Sequence, residues 1–253
     1  MLNRFKASLS QPKSLFSYKD DRKRIVFLYS LIIICLSMVP YIILETTQGS
    51  FDASMMVAIE DAFQQDVMQK DNQIIDGVLL TNEPFETMVD FNVFTNDITV
   101  NTFYLVIFFD ETNIQLKLGD EIIEEVSYQT VLPNFDFMDY SLENTSQLMS
   151  VIASFLNESV FVSVLMLGSI FFSLALDYLM ITFLLVLLMQ MNRQANPLPF
   201  KTKYKLGLYM STPYMLTSLI LVLFGFGQLS YISLLVAYIY YMWAYRITGG
   251  KHA

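Results

Sequence analysis

Asp177 is the residue whose setting most directly invites a chemical question. It is the only charged residue in the 32-residue run Val160–Met191. By the helix rise it lies about 21 Å from the Met191 end. A carboxylate at that depth marks a functional site by default, and its partners are expected among Tyr and Ser/Thr hydroxyls of the third and fourth spans, such as Ser211, Thr212, Thr217 and Ser218. The competing reading is a tilted or shifted helix that brings Asp177 to the outer membrane interface. A second chemical pattern is Tyr231, Tyr238 and Tyr245, three phenols at seven-residue intervals. That spacing sets them on one helical stripe, either as a packing seam or along a substrate path, and interhelical hydroxyls commonly serve as packing contacts.

Other chemistry has little to build on. The single histidine, His252, is next to the last residue, which removes histidine triads and His-ligated zinc. No phosphate-binding glycine loop, nucleophile elbow or H-E-x-x-H pattern occurs. The acids Asp110, Glu111, Asp120, Glu121, Glu124, Glu125, Asp136 and Asp139 are dense but do not follow a calcium-loop spacing, so a solvated acidic face is the reading. A pair of them about 5–10 Å apart would be needed for glycoside hydrolysis, and nothing singles out a pair. Cys35, the only cysteine, reads as a lipid-facing or packed thiol rather than an acylation site. Two sequons, Asn144-Thr145-Ser146 and Asn157-Glu158-Ser159, have meaning only in a glycosylating secretory pathway. The expectation is a non-enzymatic chain with no cofactor and no metal.

The elements that would position these residues are those of a membrane protein. Of the 253 residues, 54% are hydrophobic and only 15% charged, against roughly 25% charged in soluble domains. A bilayer core needs about 20 mostly apolar residues per helix. Four stretches meet this need: 25–44, 160–191, 206–226 and 229–245. The first is too long for a signal h-region and lacks a cleavage site. The second is entered from an amphipathic helix at 142–158. Pro213 predicts a kink in the third near Tyr209–Pro213. The short turn Gly225–Gln228 makes the third and fourth an antiparallel hairpin.

Charge sets the orientation. The leader 1–24, the loop 192–205 and the tail 246–253 are basic, while residues 45–158 hold 21 Asp or Glu against only Lys70 and Lys117, a net −19. The positive-inside rule places the three basic segments and both termini in the cytoplasm, with Tyr240, Tyr241, Trp243 and Tyr245 in the inner interface belt. The chain as a whole carries −9, which argues against nucleic acid as a partner. The bilayer is the expected partner, with its anionic headgroups against the basic face.

Residues 45–158 are long enough for a small α+β domain. Met55, Met56, Ile59, Phe63 and Val67 predict an amphipathic helix over 53–70. Asp76-Gly77 predicts a turn. Thr102–Phe109 and Asn113–Leu118 read as strands joined at Asp110–Thr112, and Glu121–Thr130 as a third strand or a short helix.

Phe5, Lys6, Ser8, Leu9, Pro12 and Lys13, followed by the first apolar run, resemble the leader of an uncharacterised bacterial membrane-protein family. The elements Asn72–Leu80 and Val106–Thr112 are similar to that family's I-x-x-G-x-L and I-x-F-D-x-T segments. Some members carry the label maltodextrin utilisation, and the family is often grouped with Yip-type membrane proteins. The resemblance implies four to five spans and an extracytoplasmic domain, and at most an accessory role in sugar uptake. It supplies no catalytic residues.

The expected architecture is therefore a four-helix transmembrane α bundle with an acidic α+β extracytoplasmic domain inserted between spans one and two. It sits in the plasma membrane of a low-GC bacterium (Ile, Asn, Lys, Phe and Tyr are abundant). The expected function is to sense or recruit a ligand or a membrane-protein partner, such as a transporter subunit. The alternative is a small transporter or channel subunit that uses Asp177.

Overall fold

A computed structural model of the chain describes residues 1–48, 53–90, 92–98, 104–192 and 198–248, with the side chains of 13, 45–48, 53–54 and 245–248 outside the described set. In chain order the elements are α1 (Leu2–Ser10), α2 (Pro12–Leu15), α3 (Lys23–Ser37), α4 (Val39–Gln48) and α5 (Ala53–Ala62). Then come β1 (Asn72–Ile75), β2 (Val78–Thr81), β3 (Glu86–Val89), β4 (Asn92–Thr95), β5 (Leu105–Phe109), β6 (Asn113–Leu118), β7 (Glu121–Ser127), α6 (Tyr128–Val131) and β8 (Phe135–Asp136). The chain ends with α7 (Leu142–Glu158), α8 (Val160–Met191), α9 (Phe200–Met210), α10 (Thr212–Leu223) and α11 (Tyr231–Thr248). They divide into two compact units, Met1–Thr46 with Leu167–Ala253, and Thr47–Met166.

Three helical stretches are long and apolar enough to cross a membrane: Lys23–Leu44, Val160–Met191 and Phe200–Leu223. Two of them are broken, and proline explains both breaks. Pro213 sits in the first turn of α10 and lacks the N–H that would continue α9, so the ladder is interrupted at Ser211. Pro40 does the same one turn after α3 ends. The amphipathic run at 142–158 is a separate helix. Ser159 ends it and caps α8 by accepting a hydrogen bond from the Val162 N–H at 3.2 Å.

The helical unit has a core of its own, built around Tyr29, Ile33, Tyr178, Leu185, Met189, Leu206, Tyr209 and Tyr240. The leader belongs to that core. Ala7 and Leu15 are fully buried, and Tyr240 Oη donates to Ala7 O.

The β unit contains a hairpin and a mixed sheet. β1 pairs antiparallel with β2 and β8. The hairpin turns through Asp76 and Gly77, at φ 50° and 78°, the two positive values a tight I′ hairpin needs. A Cβ on Gly77 would lie 2.8 Å from Gln129 Oε1 and 3.0 Å from Gln129 N, so crowding adds to the backbone demand for glycine. The second sheet has the order β3-β4-β5-β6-β7, antiparallel except for the parallel pair β4–β5. Alternation sorts its residues. Phe94, Ile107, Leu116, Phe109 and Ile114 enter the main core with Phe63, Phe85, Phe135 and Phe137, whereas Val93, Val106 and Phe108 form a small cluster of their own. Glu121–Thr130 is both of the expected alternatives in sequence, strand β7 followed by the short helix α6. The helix expected over 53–70 ends at Ala62 and continues as a π-type turn, Phe63–Val67.

Candidate functional site

The helical unit holds a groove between α3, α8 and α9, with a volume of about 610 Å³. Its walls are apolar. Val26, Phe27 and Ile34 come from α3, Phe171 and Leu179 from α8, and Leu208 from α9. Lys23, Lys201 and Lys205 line the same groove, and no carboxylate does.

The local fold gathers these lysines. α3 and α9 run side by side in the same direction, since Lys205 Nζ donates to Asp21 O and Tyr29 Oη lies 2.8 Å from Thr212 Oγ1. Both helices therefore begin at one end of the groove. Lys23 is the first residue of α3, while Lys201 and Lys205 lie one turn apart on one face of α9. Neither helix start has a side-chain cap, because Arg22 and Pro199 precede them. Lys23 and Lys201 are exposed and form no hydrogen bond or ion pair with a described residue. Lys203 points to the other side of α9, where it is buried and its ammonium donates to Gln190 Oε1 at 3.3 Å.

A latch at Asp21 fixes this end. Arg4 Nε and Nη2 donate to the two carboxylate oxygens at 2.6 and 2.8 Å, and Tyr209 Oη donates to Oδ2 at 2.6 Å. The Arg4 hydrogen bonds hold the Asp21 carboxyl below the ordinary carboxylate range, against the opposing effect of burial. The Arg4 guanidinium also lies 5.1 Å from the Tyr18 ring centre.

Close helix contact supports the groove from behind. Gly207 on α9 and Ser211 at its C-cap form a small-xxx-small pair against α8. A Cβ on Gly207 would meet Val186 Cγ2 at 3.1 Å and Thr182 O at 3.2 Å. Thr182 Oγ1 lies 2.9 Å from Ser211 Oγ, and Tyr178 Oη donates to Leu208 O.

The residues singled out from the sequence fall elsewhere. Asp177 is exposed on α8 and has no hydrogen-bond or ion-pair partner among the described residues, but Tyr214 of the third span and Tyr41 of α4 lie within reach of its charge. Ser211 and Thr212, expected to face it, are instead bonded to Thr182 and Tyr29. The helix phase explains this, because Tyr178 and Thr182 face α9 while Asp177 is turned about 100° from Tyr178. Tyr231 and Tyr238 are 66% and 45% exposed, and the Tyr245 side chain lies outside the described residues. The α11 side chains buried within the chain are on another face, at Ser233, Ala237, Tyr240, Tyr241 and Ala244. In the β unit, no group of three or more His, Cys, Asp or Glu among the described residues could hold a metal ion.

No family model, curated protein or solved structure matches this chain.

The sequence carried signals for the groove that composition arguments overlook. Lys201-x-Lys203-x-Lys205 alternates around a helix, so two lysines share one face and the third is turned away. Asp21, by contrast, looks like an ordinary leader acid until Arg4 and Tyr209 reach it.

Proposed function

We propose that the chain is a four-span plasma-membrane protein, with both termini in the cytoplasm and the acidic domain outside it, that works without catalysis. Its outer domain senses or recruits a ligand or a membrane-protein partner, and the resemblance noted above suggests accessory work in sugar transport. The observation that carries this reading is the division into two units with separate cores, one holding two helical stretches of spanning length and most of a third, the other a β-rich acidic domain. The fourth span is α11, whose 18 residues extend about 27 Å. It packs against α10 beyond a turn in which Gly225 has φ 76°.

Cysteine accessibility tests the topology. In a Cys35→Ser background, Glu124→Cys is expected to react with an impermeant maleimide on intact cells, and Lys19→Cys only after permeabilisation. The reverse pattern would overturn the orientation. Affinity purification in a gentle detergent then tests recruitment. A transport subunit is expected to co-purify stoichiometrically with the intact chain and to be lost on substitutions in the β unit. Recovery of the chain alone would remove the recruiting role.

The second reading, a transporter or channel subunit, is favoured by one observation. Asp177, on a helix of spanning length, has no hydrogen-bond or ion-pair partner among the described residues, and the Tyr41 and Tyr214 phenols lie within reach of its charge. Asp177→Asn separates the two readings. Unchanged function would remove the transport role, whereas loss of function with normal insertion would remove the reading of the helical unit as a pure anchor.

A further inference from the structure

We propose that the groove between α3, α8 and α9 binds one anionic membrane phospholipid, with an acyl chain along the apolar wall and the phosphate at Lys23, Lys201 and Lys205. The inference rests on the membrane reading above and adds to it a specific ligand class.

Three independent features agree. The first is charge. Three lysines line one end, no carboxylate lines any part, and Asp21, whose main-chain carbonyl Lys205 reaches, is already bound by both arms of Arg4 and by Tyr209. Lys23 and Lys201 are exposed, and Lys205 donates to the Asp21 main-chain carbonyl with the Asp21 carboxylate within reach of its charge. The second is the backbone. α3 and α9 both start at the lysine end without a side-chain cap, so free N–H groups and the positive ends of two helix dipoles add to the ammonium charges. The third is length. From Lys23 to Ile34 the wall extends about 16 Å along α3, close to one leaflet's share of a hydrocarbon core roughly 30 Å thick.

This polarity fits an amphiphile with a negative head. A neutral lipid would leave the Lys23 and Lys201 ammonium groups without a counter-charge. A free anion would leave the apolar wall, where Phe27 is 70% exposed, uncovered. The positive-inside orientation places the lysine end at the cytoplasmic leaflet, whose surface is anionic.

The test uses the full chain in bilayers. Trp243→Phe removes the only native tryptophan, and Leu179→Trp places an indole on the groove wall. Phe183→Trp, one turn along the same helix and outside the lining, is the control. Quenching is measured with brominated phosphatidylglycerol and with brominated phosphatidylcholine. For Leu179→Trp we expect at least about a fivefold preference for phosphatidylglycerol, the effect of a single interfacial lysine. No such preference is expected for Phe183→Trp. The preference should vanish in Lys23→Gln/Lys201→Gln/Lys205→Gln and weaken with salt through screening. The triple variant must retain the parent's helical circular dichroism. If it does not, Lys201→Gln alone is used, with a partial loss expected.

Equal quenching by the two lipids at position 179 would overturn the proposal while leaving the membrane reading intact. A preference that survives neutralisation of the lysines would overturn it as well. Quenching by neither lipid at 179 but by both at 183 would mean that protein covers the groove. Quenching at neither position would sink the membrane reading along with the site.

Discussion

The two units of this chain manage charge and polar groups in opposite ways. The helical unit carries 13 basic against 4 acidic residues, and the β unit 2 basic against 20 acidic, so their net charges are +9 and −18. In the helical unit, long-range hydrogen bonds between side chains do much of the joining. Arg4–Asp21, Tyr209–Asp21, Tyr29–Thr212 and Thr182–Ser211 each tie segments distant in sequence. In the β unit, backbone ladders and a phenylalanine-rich core do most of that work, helped by side-chain bonds such as Thr87–Asp66 and those of buried Asn72, and no acid among the described residues is buried. Apolar packing gives little drive between helices where lipid is the solvent, so small residues and buried hydroxyls decide how they meet. In water the same drive is large, and a domain can tolerate a repulsive acidic surface over a dense aromatic core.

Breaking the aromatic core should have the largest effect. Phe109 is buried among Phe63, Phe85 and Phe137. Phe109→Ala should cost about 3–5 kcal/mol. Limited proteolysis of the full-length protein should show cleavage within 47–166 while fragments of the helical unit stay intact. Simultaneous loss of both would mean the units share one stability.

Opening the latch should come next. Asp21→Asn leaves Arg4 partly buried without its counter-charge, a cost of about 2–3 kcal/mol. It should lower the thermal midpoint in detergent and expose the leader to protease. The pH dependence has a definite sign. The folded state lowers the Asp21 pKa, so its contribution is present above the ordinary carboxylate range and lost as pH falls through the depressed folded value. An acid midpoint identical in Asp21→Asn and the parent would refute that assignment.

A smaller effect is expected at Tyr29 and Thr212. The double-mutant cycle of Tyr29→Phe and Thr212→Val should give a coupling of about 1 kcal/mol. A coupling near zero would show that packing alone joins α3 to α10.

The smallest effect is expected at Tyr128, whose buried hydroxyl has no hydrogen-bond partner among the described residues and whose pKa is raised by burial and by Asp110. Removing an unpaired buried hydroxyl relieves its desolvation cost, so Tyr128→Phe should be neutral or stabilising by up to about 1 kcal/mol. Clear destabilisation would reveal a polar partner for this phenol.

Local patterns in the sequence account for much of the architecture. The apolar runs, the break beside Pro213, the Asp76-Gly77 turn and strand β6 all follow from neighbours within a few residues. Strands β1–β4 were harder to read because each has only four residues, too short for alternation to stand out. Pro40 breaks a helix for the same reason as Pro213, yet the unbroken apolarity around it conceals the stop. Asp177 was conspicuous because a charge in an apolar run is rare. The groove lysines were not, because cations beside a span read first as orientation signals.

The sequence by itself determined where the chain is apolar enough to cross a membrane and where its charge segregates, because both depend only on which residues are adjacent. The tertiary structure alone decided that β4 lies parallel to β5, that Arg4 meets Asp21 and Tyr209, and that α3 and α9 bring three lysines to one end of an apolar groove. Those contacts join residues up to nearly two hundred positions apart. Each is chosen by packing among whole elements, which no local window of sequence contains.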